Sequence, residues 1–297
     1  MEMKVFITKV KRGILKKLGT EIQVEVREVY KNNGLVLHGL MITKPGRNVA
    51  RTIYLEDLLE WYEQGTPLSV VIDKILSLYE EEVPGENVDM GFLKDFSKVK
   101  EQIVYKIVNA EKNKDLLKRI PHICFLDLAI CFSYFYVHKT LGNGMILVYN
   151  THVEMWNTNT AELFHLAQEN TPRLSPPEFR SVRQMMDSSA QSASKRESLP
   201  LEAMELRVLS NVQHSHGAAC ILYPGVLRQI SQFLSPDFFI LPSSIHEVIL
   251  LAAESEEGAE SLRGAVREVN AARLEAEQIL SDSVYYYDHR QNKLKIV

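Results

Sequence analysis

Apolar residues recur along the first 18 positions at the spacing of a helix. Phe6, Val10, Ile14 and Leu18 stand four apart, with lysines on the other faces. That period predicts an amphipathic helix over 4–18, and Gly19 is placed to end it. The pattern then changes to the two-residue alternation of a half-buried strand, from Ile22 to Val29 with Glu25 and Arg27 between apolar neighbours. Asn32-Asn33-Gly34 tolerates the positive φ angles of a tight turn, so Leu35 to Ile42 is expected to return as the second strand of a hairpin. Residues 55–64 and 68–82 read as two helices broken at Gly65-Thr66-Pro67, with Thr66 expected as N-cap and Pro67 in the first turn. The acidic stretch from Glu80 to Asn87, with its Pro and Gly, marks a boundary.

Beyond Phe92 the pattern predicts a short helix at 93–100, an apolar strand at 103–108 and a charged helix at 110–118. Ile123 to Val137 is too apolar to alternate and reads as one strand covered on both faces. Gly142-Asn143-Gly144 is a turn before a strand at 145–149. Asn159 with Glu162 three residues later has the spacing of a capping box, ahead of a helix striped by Leu163, Leu166 and Ala167. Residues 184–200 hold five Ser and few apolar side chains, the composition of a flexible segment. Strands are then expected at 206–209, 218–222, 238–241 and 248–251, helices at 225–234 and 258–273, and a terminal hairpin from 284–287 and 294–296. Consecutive strands joined by tight turns point to an α+β fold with a mainly antiparallel sheet and flanking helices. The expected plan is a helix, hairpin and two helices over 1–88, then an α+β domain over 92–297.

Composition narrows the function classes. Lys plus Arg is 34 and Asp plus Glu 38, a formal charge of −4. Nucleic-acid binding draws on clustered basic residues, so no nucleic-acid partner is expected. The charge is uneven: residues 1–20 carry six basic side chains against Glu2, and residues 251–280 carry seven Glu against three Arg. A basic arm that touches an acidic patch or a membrane surface is one reading; a solvated helix face is the commoner origin of such a run and is the preferred reading. The longest apolar run, Ile123 to Val137, is shorter than the ~20 residues of a membrane helix and contains Asp127, so no membrane span is expected. Lysines interrupt the apolar positions of the first 20 residues, so a secretory signal is not expected. Cys124, Cys131 and Cys220 show no CxxC spacing and read as free, buried thiols of a reducing cytoplasm.

The common catalytic signatures (GxGxxG, GxxxxGK[ST], GxSxG, HExxH, EF-hand) are absent from the sequence. That shifts weight toward a non-enzymatic binding or regulatory module, with a protein partner or a second copy of the chain as counterpart and no cofactor assigned. The rival is a metal-dependent or Ser/His hydrolase built on two polar turns. Ser243, Ser244, His246 and Glu247 fall within five residues between two apolar strands and include a nucleophile, a base and a carboxylate. Local Ser and His in a turn more commonly bond their own backbone. His214 and His216 would share a face if extended, and His246 or Glu247 could complete a metal set. His122 with Asp127, and Cys124 with Cys131, lie at one end of the apolar run, where an apolar setting makes a thiol inert.

Several stretches carry a resemblance: Val26 to Asn33, TIYLED at 52–57, DFSKVKEQIVYKIV at 95–108, Asn109-Ala110-Glu111 and Asp127-Leu128-Ala129. They continue with Glu154-Met155-Trp156, NTPRL at 170–174, LYPG at 222–225, LPSSIHEV at 241–248 and LSDSV at 280–284. Together they resemble a family of anaerobic gut-type Firmicutes bacteria defined only as a domain of unknown function. The resemblance implies a cytoplasmic bacterial protein. It brings no activity, cofactor or catalytic residue with it.

Overall fold

A computed structural model describes residues 2–47, 50–81, 91–138, 142–181, 206–253, 255–256 and 258–297. The Ser-rich stretch at 184–200 lies outside the described residues. The fold is α+β, and its strands pair antiparallel. The chain divides into two compact units, Met1–Phe92 with Val137–Asn143, and Leu93–Tyr136 with Gly144–Val297.

In the first unit, α1 (Met3–Leu18) buries Phe6, Val10 and Ile14, three positions of the predicted stripe. β1 (Gln23–Tyr30) and β2 (Val36–Thr43) pair from Gln23↔Thr43 to Tyr30↔Val36. The turn between them uses positive φ at Asn33 and Gly34. β3 (Thr52–Tyr54) adds to β2, and α2 (Glu56–Glu63) and α3 (Leu68–Glu80) follow. One core joins Phe6, Val10 and Ile14 to Leu40, Ile53, Val71 and Ile75. The N-cap of α3 is Pro67, not Thr66. The Thr66 amide donates to the Trp61 carbonyl at 3.0 Å, so this residue finishes α2 instead of starting α3.

The second unit holds two further sheets. In one, β4 (Ile103–Asn109), β6 (Leu128–His138) and β5 (His122–Phe125) lie in the order β4-β6-β5, and β7 (Gly142–Leu147) also pairs with β6. The run from Ile123 to Val137 is therefore two strands, not one. Leu126 takes a left-handed φ of 55° and the chain reverses, pairing Phe125 with Leu128. Hydropathy alone missed the reversal because both strands are apolar. The expected helix at 110–118 shrinks to α5 (Lys114–Leu117), preceded by α4 (Phe96–Val99) and followed by α6 (Asn150–Trp156) and α7 (Thr160–Leu174). Asn159 caps α7, accepting from the Glu162 amide at 3.0 Å. α7 also covers the outer edge of β4. The Tyr105 amide donates to Thr171 Oγ1 at 3.0 Å, and Asn170 Nδ2 donates to the Ile103 carbonyl at 3.0 Å.

The six-stranded sheet contains β8 (Pro177–Ser181), β9 (Arg207–Asn211), β10 (Asp237–Leu241), β11 (Val248–Ala253), β12 (Tyr285–Asp288) and β13 (Lys293–Ile296). Their order is β13-β12-β10-β11-β9-β8. Helices α8 (Val226–Ile230) and α9 (Ala259–Arg273) complete the unit. The apolar segment expected as a strand at 218–222 is instead a 3-10 turn, Gly217–Leu222. It is buried, which explains its hydrophobicity. Its Ala218 and Ala219 amides are taken by the Ile245 and His216 carbonyls, outside the ladder. Phe239, Leu251, Val284 and Tyr286 pack with Ala259 and Val266. Among the described residues no helix is long and apolar enough to cross a membrane.

Candidate functional site

The two polar turns singled out in the sequence meet. β9 ends at Asn211, and the next residues curl back on its side chain. Asn211 Nδ2 donates to the Ser215 carbonyl at 2.8 Å, and Asn211 Oδ1 accepts from the Ser215 amide at 3.2 Å. This brace holds His214 (φ 50°) and His216 (φ 53°) in left-handed backbone that non-glycine residues rarely adopt. Gly217 then passes so close to its neighbours that a Cβ would lie 2.5 Å from the His246 carbonyl oxygen and 2.6 Å from the Asn211 amide nitrogen. The 242–247 turn is drawn in from the other side. Ser210 Oγ donates to the His246 carbonyl at 2.8 Å, and the His216 amide donates to His246 Nδ1 at 3.3 Å. The imidazoles of His216 and His246 stack, with centroids 5.7 Å apart.

The remaining candidates are placed differently. Ser244 is buried, and its hydroxyl accepts from the His246 amide at 3.0 Å while its own amide donates to the Glu247 carbonyl at 3.1 Å. The turn is closed on its own backbone. Among the described residues neither Ser243 nor Ser244 is hydrogen-bonded to an imidazole. His214 is exposed and faces Glu178, Nε2 to Oε2 at 3.5 Å, while Arg180 pairs with the other oxygen of the same carboxylate. A shallow pocket beside it is lined by Glu178, Arg180, Val208, Ser210, His214 and Glu247. So His216 and His246 come together and His214 points to a separate partner. Among the described residues no three His, Cys, Asp or Glu side chains are grouped to hold a metal ion.

One contributor escaped the reading of the sequence. Lys106 sits in the middle of β4, opposite Cys131 of β6, which in turn lies opposite His122 of β5. The available signal was a single Lys inside the apolar run IVYKIV. Lys106 keeps part of its surface accessible, yet burial pulls its amine below the usual lysine range, partly opposed by Cys131. Among the described residues the amine has no ion pair and no hydrogen bond. Burial, then Lys106, then His246 bring His216 down to about 3. Burial lowers His246 as well, against the opposite pull of Glu247 and Glu277. The thiols of Cys131 and Cys220 are pushed up to about 12 by burial, so both are protonated and inert as nucleophiles. Cys220 Sγ donates to the Ser210 carbonyl at 3.0 Å. Cys124 is exposed, not buried as expected, because the short strand β5 turns it outward.

The model of the Family of unknown function (DUF5688) matches residues 3–289. The chain belongs to that family. No curated protein and no solved structure matches the chain. Membership in DUF5688 adds no activity, so chemistry has to be read from the residues themselves.

Other stretches that carried the resemblance meet at a second polar centre. Asp127 takes three hydroxyl donors: Ser281 Oγ at 2.5 Å and Ser283 Oγ at 3.0 Å on one oxygen, and Tyr285 at 2.8 Å on the other. Asn109 Nδ2 donates to the Leu280 carbonyl at 3.1 Å, and Asn270 Nδ2 to the Ser281 carbonyl at 3.0 Å. His122 does not join. Its Nδ1 lies 3.1 Å from the Ile120 carbonyl. Burial and the Asp127 charge both push the Tyr285 phenol upward, so it stays a donor. This centre fastens the β5–β6 turn to the segment entering β12.

Proposed function

We propose that this DUF5688 member is a cytoplasmic bacterial protein that acts by binding, as an interaction or regulatory module, and not as a Ser/His or metal-dependent hydrolase. One observation carries the reading: the two turns rich in candidate residues converge, yet their catalytic-looking groups are spent on backbone. Ser244 Oγ accepts from an amide, and His246 Nδ1 accepts from another. A general base has to reach the hydroxyl it activates, within about 3 Å or through one water. The three cysteines are free, which accords with a reducing compartment.

The test uses the full chain. Metal content by plasma mass spectrometry and turnover of p-nitrophenyl ester and phosphoester substrates are measured for the wild type, Ser244→Ala and His246→Ala. No stoichiometric metal and no turnover dependent on either residue are expected. A hydrolytic rate that falls a hundredfold or more in both variants would overturn the proposal in favour of the hydrolase. Native mass spectrometry reads the counterpart directly: a dimer or a retained ligand is expected, and a bare monomer counts against the reading.

A further inference from the structure

We propose that Lys106, His216 and His246 form a recessed site for a compact oxyanion, the phosphate or carboxylate group of a small ligand. This rests on the binding reading above and names what is bound. Three nitrogen-bearing side chains arrive from three separate segments: the middle of β4, the turn after β9 and the turn between β10 and β11. His216 and His246 are in ring contact at 5.7 Å, and β4, which carries Lys106, packs against the 3-10 turn Gly217–Leu222 that follows His216 directly.

One buried unpartnered atom, with a lysine amine outside any ion pair among the described residues as a second donor, points to a ligand. His216 Nδ1 is buried and has no hydrogen-bond partner. The Lys106 amine has no counter-charge or acceptor among the described residues. Uncompensated buried polar atoms and charges are costly, and most buried polar groups in native proteins are paired. The groups that face Lys106 from its own sheet do not repair this. Cys131 is a protonated thiol, and the His122 ring is held at the Ile120 carbonyl. The carboxylates nearby, Glu247 and Glu277, act on His246. An oxyanion entering here would accept from the lysine amine and from an imidazole N–H at once, which satisfies both groups. The backbone expense of the site agrees: left-handed φ at His216 and a glycine-only approach at 217 keep the ring against its partner.

The experiment titrates the full-length protein calorimetrically with inorganic phosphate and, in a separate arm, with acetate, at low ionic strength. Saturable one-site binding is expected in at least one arm, and the tighter arm tells phosphate from carboxylate recognition. Lys106→Met should weaken that binding at least tenfold while leaving the thermal unfolding midpoint at or above the wild-type value, since it removes an uncompensated amine. Lys118→Met, at an exposed lysine paired with Asp115, should bind as the wild type does. A measurement on the wild type alone stands in if Lys106→Met does not fold. Bound phosphate or acetate should slow acetylation of Lys106 at least fivefold relative to Lys118, read by peptide mass spectrometry. Failure of both anions to bind, equal binding by Lys106→Met, or an unchanged acetylation rate overturns the site. Those results leave the binding-module reading standing, whereas His246-dependent hydrolysis would sink that reading without touching oxyanion binding.

Discussion

Two polar centres in the second unit handle charge in opposite ways. At Asp127 a single carboxylate is surrounded by three hydroxyl donors, and the neighbouring carbonyls of Leu280 and Ser281 take amide donors from Asn109 and Asn270. At Lys106, His216 and His246 the nitrogens outnumber their acceptors, and burial holds all three below their ordinary pKa values. The first arrangement is what a structural fastening looks like, because both carboxylate oxygens of Asp127 take their donors from within the chain. The second stores unmet hydrogen-bonding capacity, which stability alone does not favour. A polar cluster is informative about function when its valences are left over, not when it is dense.

Substitutions can break or sharpen that contrast. The largest effect is expected from Asp127→Ala, which strands three hydroxyls. Hydrogen bonds to charged groups are each worth about 1.5–3 kcal/mol and do not add fully, so a loss of about 3 kcal/mol is expected in urea unfolding. A loss below about 1 kcal/mol would mean that Asp127 is not a fastening. Next is Gly217→Ala. The added Cβ has to push apart the end of β9 and the 242–247 turn, and overpacking of this kind costs about 2 kcal/mol. If stability is unchanged, the two turns are not pressed together as described.

The third concerns pH. The folded His216 stays neutral down to about 3, whereas in the unfolded chain it takes up a proton near its ordinary value of 6.5. Between those limits the unfolded chain binds the extra proton, so stability falls as pH drops from 6.5 toward 3. The contribution approaches about 1.4 kcal/mol per pH unit in the middle of that window. His216→Asn, which suits the left-handed backbone, should flatten the stability profile by that amount; an unchanged slope would show that His216 is not held neutral. The smallest effect is Tyr285→Phe, which removes one of three donors to Asp127 at constant packing. It should cost about 1 kcal/mol, measured by thermal unfolding, and should leave anion titrations unchanged.

Local signals were legible and proved sound where period or turn chemistry alone suffices. Phe6, Val10 and Ile14 form the buried stripe of α1, Asn33 and Gly34 carry the hairpin turn, and Asn159 caps α7. Errors arose where hydropathy was asked to name a hydrogen-bond partner. The 123–137 run folds back at Leu126, and the 218–222 run is a buried 3-10 turn, because apolarity reports burial and not which backbone a segment pairs with. The candidate site was half legible. His216 and His246 were visible as unusual residues in turns. Lys106 passed unnoticed inside a strand, since its significance lies in neighbours more than a hundred positions away. Asp127 was noted beside His122, but its donors come from 154 to 158 residues further along.

What the amino-acid sequence determined on its own was the set of local elements: helical and strand periods, turn residues and caps, whose energetics are settled within a few neighbouring positions. Tertiary structure alone decided which charges found partners. A lone Lys in IVYKIV and a lone Asp between two apolar strands look alike along the chain. Folding brings three hydroxyls to the Asp and the segment carrying His216 to the strand of the Lys, because desolvation and hydrogen bonding depend on what is adjacent in space, and no period in the chain encodes that.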